Sequence, residues 1–183
     1  MTLFPVLFLP FSRIFYLCTQ LEKGMKKKVL FVCSGNICRS PAAEGVFTKL
    51  VEENGYSDYF HIDSAGIGGW HSGEKADPRM RKHAGKRNYH LTSIARKFDP
   101  GTDFDRFDLI IAMDDENLHD LKIRARNKED KAKIVKMTTF SEKFSYNIIP
   151  DPYYGGEEGF ELVLDLLEDA CNGLFKKLTG EIS

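Results

Sequence analysis

Cys33-Ser34-Gly35-Asn36-Ile37-Cys38-Arg39-Ser40 has the form C-x5-R-S. These residue types, so spaced, suit the capture of an oxyanion by a sulfur nucleophile. Gly35 and Asn36 tolerate left-handed backbone, so the loop can curl its N–H groups inward as an anion nest. Arg39 offers a planar fork that grips two phosphate oxygens. Ser40-Pro41 then opens a helix, with Ser40 as the expected N-cap and Pro41 as the first helical residue. That helix adds free N–H groups and the positive end of its dipole. The same field acts on Cys33. A free thiol is only about 3% ionised at pH 7, whereas helix N-termini and adjacent arginines lower thiol pKa values into the ~3.5–7.5 range. Ser40 is placed to donate a further hydrogen bond to the thiolate. The alternative for Cys33 is a buried, inert cysteine beside a surface arginine. A nucleotide P-loop is excluded, because G-x4-G-K-[ST] occurs nowhere.

A phosphate ester attacked by sulfur must expel an alkoxide or phenoxide, which calls for a proton donor in line with the leaving oxygen. Asp151 is the candidate. It lies between Pro150 and Pro152, and prolines restrict the chain that carries it. By sequence alone an Asp-Pro pair is equally a turn former.

The elements that must position these groups alternate in type. Apolar runs at 28–33, 60–64, 107–113 and 133–137 read as buried strands. Helical patterns follow at 40–54, from Asp77-Pro78 to near Asn88, at 114–121, and in a long final segment. In that last helix Phe160, Val163, Leu164, Leu167, Ala170, Cys171, Leu174, Phe175 and Leu178 mark the buried face. This βα alternation predicts an α/β three-layer sandwich around a four-stranded parallel sheet. In such sheets ligands sit at the carboxyl ends of strands, which points to the loop after Cys33.

At 183 residues the chain suits one domain. Lys+Arg is 26 and Asp+Glu 27, a net charge of −1, which argues against nucleic-acid binding by bulk charge. Four cysteines are too few for a disulfide scaffold. The histidines His61, His71, His83, His90 and His119 show no metal-ligand spacing, so no metal or cofactor is expected, and they read as surface or satisfied residues. Residues 1–24 stand apart as an apolar extension interrupted by Pro5, Pro10 and Arg13. Arg13 breaks any run near the ~18 residues a spanning helix needs, so stable membrane insertion is not expected. Met25 is the expected natural start, leaving residues 25–183 as one domain; the rival is a weakly membrane-associating N-terminus.

The motifs resemble those of the low-molecular-weight protein tyrosine phosphatases. The match comprises VLFVCSGNICRSPAAEGVF at Val29–Phe47, IDSAG at Ile62–Gly66, DPR at Asp77–Arg79, FDLIIAMDDENL at Phe107–Leu118 and DPYYGG at Asp151–Gly156. It covers about residues 27–178. The resemblance implies a flavodoxin-like sheet of strand order 2-1-3-4 with the phosphate loop after strand 1. It implies a cytoplasmic, cofactor-free enzyme, a monomer or weak dimer, acting on a phosphotyrosine protein or other aryl phosphate. Cys33, Arg39 and Asp151 would be catalytic, and Ser34, Gly35, Asn36, Ile37, Cys38 and Ser40 would bind phosphate. Tyr153, Tyr154 and Trp70 would line an aromatic cleft. Ser64 would hold Asn36 by a hydrogen bond, and Ser93 would support the loop from farther out. Cys38 would be placed to form a disulfide with an oxidised Cys33; by spacing alone it is equally a small buried residue.

Three other functions fit parts of the pattern. An arsenate reductase needs relay cysteines downstream, and after Cys38 there is only Cys171. Protein arginine phosphatases carry Thr where this loop has Ile37, and usually Phe at Tyr153. A phospho-binding module without catalysis has no need of Cys33 and Asp151 together.

Overall fold

The computed structural model describes residues 26–180. The expectations for residues 1–24 and for Met25 lie outside that range.

Strand β1 (Lys27–Cys33) and helix α1 (Arg39–Glu53) flank the C-x5-R-S loop. There follow β2 (Phe60–Gly66), α2 (Pro78–Lys86), the one-turn α3 (Asp103–Arg106) and β3 (Leu109–Ala112). Then come α4 (Asp115–Arg124), the short α5 (Lys128–Ala132), β4 (Ile134–Lys136) and the long α6 (Glu157–Gly180). The four strands form one parallel sheet of order β2-β1-β3-β4, as the sequence motifs imply.

β1 is central and buried on both faces, which is why it reads as a continuous apolar run. Its side chains alternate. Val29, Phe31 and Cys33 face a core built with α1 and α6, where Phe47, Leu164 and Leu167 are fully buried. Leu30 and Val32 face a smaller core with Phe98, Phe104, Phe107 and Leu121. Each sheet face therefore has its own cover, and the carboxyl ends of the strands share one rim.

Several local expectations shift. α1 begins at Arg39, not after Ser40, and its N-cap is Cys38, with no side-chain capping bond. The reason lies in Ser40: its hydroxyl is committed to Cys33, Asn36 and the Ala65 carbonyl instead. Of the two residues expected in left-handed backbone, only Asn36 adopts it, with φ 58°. Gly35 serves packing, since a Cβ there would meet His71 Cδ2 at 3.1 Å. β3 and β4 are shorter than their apolar runs, because Phe107 and Met137 are buried outside the ladder. α2 matches its signal: Asp77 accepts from Arg79 N at 2.8 Å and Pro78 follows it.

Candidate active site

β1 ends at Cys33 paired with Gly66 of β2, so the candidate nucleophile sits at the carboxyl edge of the sheet. Gly66 admits no side chain: a Cβ there would lie 3.0 Å from Gly35 C and 3.1 Å from Asn36 N. The loop therefore lies directly on the end of β2. The carbonyls of Cys33 and Ser34 accept from Ile67 and Gly68 N–H at 2.8 and 2.9 Å, and that of Ile37 accepts from Asp77 N–H at 2.8 Å. A loop whose carbonyls turn outward leaves its N–H groups for the interior. Helix α1, uncapped by any side chain, aims its first turn at the same place.

Cys33 is buried, with Sγ 3.0 Å from Ser40 Oγ and 3.3 Å from the Asn36 N–H that points at it. Asn36 is itself held on both ends. Its Nδ2 donates to Ser40 Oγ at 2.9 Å and Ser64 Oγ at 2.8 Å, and its Oδ1 accepts from Arg96 N–H at 2.9 Å. Ser64 in turn donates to Glu44 Oε2 at 2.6 Å. Ser93 reaches Glu44 rather than the loop itself. Burial raises the Glu44 carboxyl above the ordinary range, partly offset by the Ser64 and Ser93 hydroxyls.

Arg39 is 2% exposed. Nη1 donates to Asp114 Oδ2 at 2.5 Å and to the Ile149 carbonyl at 3.2 Å. Nη2 donates to Ser34 Oγ at 3.2 Å and Asp151 Oδ2 at 2.7 Å. Nε is buried without a partner. Burial works against the guanidinium charge, but Cys33, Asp151 and Asp114 outweigh it and raise its pKa. Covalent geometry puts Nε and Nη2 on one edge of the fork, and on that edge Nη2 is held by Ser34 and Asp151 while Nε has no partner.

Two residues missed by the sequence reading complete this anchor. Asp114 caps α4 by accepting from Asn117 N–H at 2.7 Å. Its second oxygen holds Arg39. The Asn117 amide bridges Asp114 and Ser34, at 3.2 Å from Asp114 Oδ1 and 3.2 Å from Ser34 Oγ. The spacing D-x-x-N carried the capping signal, but nothing local indicated the arginine.

Cys33, Arg39 and Asp151 share one cleft of about 380 Å³ with Trp70, Tyr153 and Tyr154. Trp70 and Tyr154 stand at its rim, 74% and 94% exposed. Tyr153 packs edge-on against Tyr154, and the Arg79 guanidinium lies 5.3 Å from its ring centre. His71 also lines the cleft, with Nδ1 2.9 Å from Glu74 Oε2. His83 is instead buried, stacked on Phe160 with Nδ1 2.5 Å from Glu161. Cys38 is a buried free thiol whose pKa is pushed up, first by burial and then by Asp77, Cys33 and Asp151. Cys171 is a free thiol in the core. Among the described residues no cluster suited to a metal occurs, and no helix is long and apolar enough to cross a membrane.

The family model for low molecular weight phosphotyrosine protein phosphatase matches residues 28–183. The chain belongs to that family. It is 41% identical over 160 residues to the low molecular weight protein-tyrosine-phosphatase of Streptomyces coelicolor, covering 86% of this chain and 97% of that protein. The rat low molecular weight phosphotyrosine protein phosphatase is 41% identical over 152 residues, 82% of this chain and 95% of its own. Among solved structures, the Entamoeba histolytica protein tyrosine phosphatase with Hepes in its active site superposes with a TM-score of 0.83. It is 46% identical and covers 85% of this chain and 99% of its own. The fold expected of a low molecular weight phosphatase is thus the fold observed.

Proposed function

We propose that this phosphatase hydrolyses phosphotyrosine in proteins through a phosphocysteine at Cys33, with Asp151 as general acid and then general base. The observation that carries the reading is the Arg39 edge: a buried Nε with no partner, beside Nη2, in the same cleft as Cys33 Sγ. A buried guanidinium N–H without an acceptor is costly, and a phosphate oxygen supplies one.

A phosphate dianion bound by the loop N–H groups takes the Nε–Nη2 edge and releases the Asp151 carboxyl from Nη2. That carboxyl is tethered only through Oδ1, which accepts from Tyr153 N–H at 3.1 Å. Cys33 Sγ attacks phosphorus, an S–P bond forms and the P–O bond to the aryl group breaks. Protonated Asp151 gives its proton to the departing oxygen. Water then attacks the phosphocysteine, Asp151 takes a proton from it, and phosphate and the thiolate are released. Ser40 and the Asn36 N–H stabilise the leaving sulfur at each return. The Trp70, Tyr153 and Tyr154 walls give an aryl group an apolar passage to the loop, which favours phosphotyrosine over shorter phosphoserine.

Turnover of p-nitrophenyl phosphate without added metal tests the reading. Cys33→Ser is expected to abolish it, and Asp151→Asn to lower kcat by about a hundredfold. Phosphorus NMR of acid-quenched wild-type reactions is expected to show a thiophosphate ester on Cys33. Full activity in Cys33→Ser refutes the mechanism.

A further inference from the structure

Arg96 lies between Tyr89 and Asp99, a stretch without helix or strand ladder, pinned by isolated bridges at Ile94 and Lys97 and by main-chain bonds of Ala95 to Glu74 and Gly73 and of Phe98 to Gly66. Yet its main chain sits between two parts of the site. Its carbonyl accepts from Gly66 N–H at 2.8 Å, and its N–H donates to Asn36 Oδ1 at 2.9 Å. The Arg96 side chain adds a further hold on this segment. Nε and Nη2 donate to Asp63 Oδ2 at 3.1 and 2.9 Å, and Nη1 donates to Asp103 Oδ2 at 2.9 Å. Asp63 belongs to β2, one residue before Ser64, which takes the other end of the Asn36 amide. Asp103 starts α3 and is fully buried. The guanidinium thus ties the loop segment to β2 and α3 together.

Asn36 needs that hold. Asparagine tolerates its φ of 58° better than most side chains, but the direction of its N–H still depends on what holds its side chain. Its own N–H is the one aimed at Cys33 Sγ. We propose that Arg96 is a positioning residue for the nucleophile. Clamped by Asp63 and Asp103, it fixes the main-chain N–H that orients Asn36, and so the N–H that Asn36 lends to the sulfur. The inference rests on the phosphatase reading of Cys33.

The test compares Arg96→Gln with the milder Asp63→Asn, which leaves Arg96 paired to Asp103. Arg106→Gln serves as control, because Arg106 approaches the same Asp103 at 4.0 Å and does not touch the loop. Each protein is checked for folding by circular dichroism. Alkylation of Cys33 by iodoacetamide is then followed against pH, with kcat and KM on p-nitrophenyl phosphate. Arg96→Gln is expected to move the alkylation profile to higher pH and lower kcat about tenfold. Asp63→Asn moves the profile less, in the same direction, and Arg106→Gln leaves it in place. Should Arg96→Gln fail to fold, Asp63→Asn decides. A folded Arg96→Gln or Asp63→Asn whose profile coincides with wild type overturns the proposal, as does an equal shift in Arg106→Gln. Alkylation requires no turnover, so wild-type protein that alkylates but does not hydrolyse the ester would refute the phosphatase reading separately.

Discussion

Asp114 does two tasks with one carboxylate. One oxygen caps α4 and the other holds Nη1 of Arg39. The two are separable, because asparagine also caps helices. Asp114→Asn should therefore keep the fold but replace a charge-assisted bond to Arg39 by a neutral one. Kcat/KM on an aryl phosphate is expected to fall about tenfold, given ~1.5 kcal/mol for such a bond. Thermal unfolding should move little, and a large drop in melting temperature would mean that the cap dominates. Asp114 also marks where sequence reading stops at this scale. Cys33, Arg39 and Ser40 were legible because they lie within one loop, where spacing alone imposes proximity. Asp114 lies 75 residues from Arg39, and no local pattern expresses that contact. His71 and Glu44 were hidden for the same reason, as was the Arg96 main chain.

Among the elements, α2 states its start most plainly. Asp77 accepts from Arg79 N–H, and Pro78 occupies the first turn. Burial opposes the Asp77 charge, but hydrogen bonds from the Arg79 side chain and from the Arg79 and Met80 N–H groups outweigh it and lower its pKa. A lowered carboxyl stabilises the fold above its unfolded-state pKa and loses that contribution as pH falls through the folded value. Asp77→Ala should thus cost about 1 kcal/mol at neutral pH. The loss, read from melting temperatures, should shrink toward pH 3. The strands and long helices were legible because apolar runs and 3.6-residue periodicity outlast any single residue. α3 and α5, of four and five residues, are too short to show a period. α1 was misplaced at its start because Ser40 and Pro41 form a strong capping signal. Tertiary bonds to Cys33 and Asn36 claimed that hydroxyl first.

In the molecule as a whole, two cores enclose one sheet, and the site stands on the rim they share. Glu44 links these levels, since it ends a hydrogen-bonded chain from Cys33 through Ser40, Asn36 and Ser64. Burial raises its pKa, so its contribution to stability is complete below the unfolded-state value. That contribution is lost as pH rises through the folded one. Glu44→Gln removes the charge and keeps a partner for each serine. Its melting temperature should exceed wild type at pH 7 and converge with it near pH 4; equal curves at both would refute a buried-charge cost. The strand order was legible only through the family motifs, since alternation of βα units does not by itself say which strand is central. At the sheet edge, Gly66 leaves less than a methyl group's clearance to Gly35 and Asn36. The Cys33–Arg39 cup is thus bolted to the sheet rather than hung from it. Warming should then erode catalysis and tertiary order over a single interval, with no range in which a folded protein has a slack, idle cup.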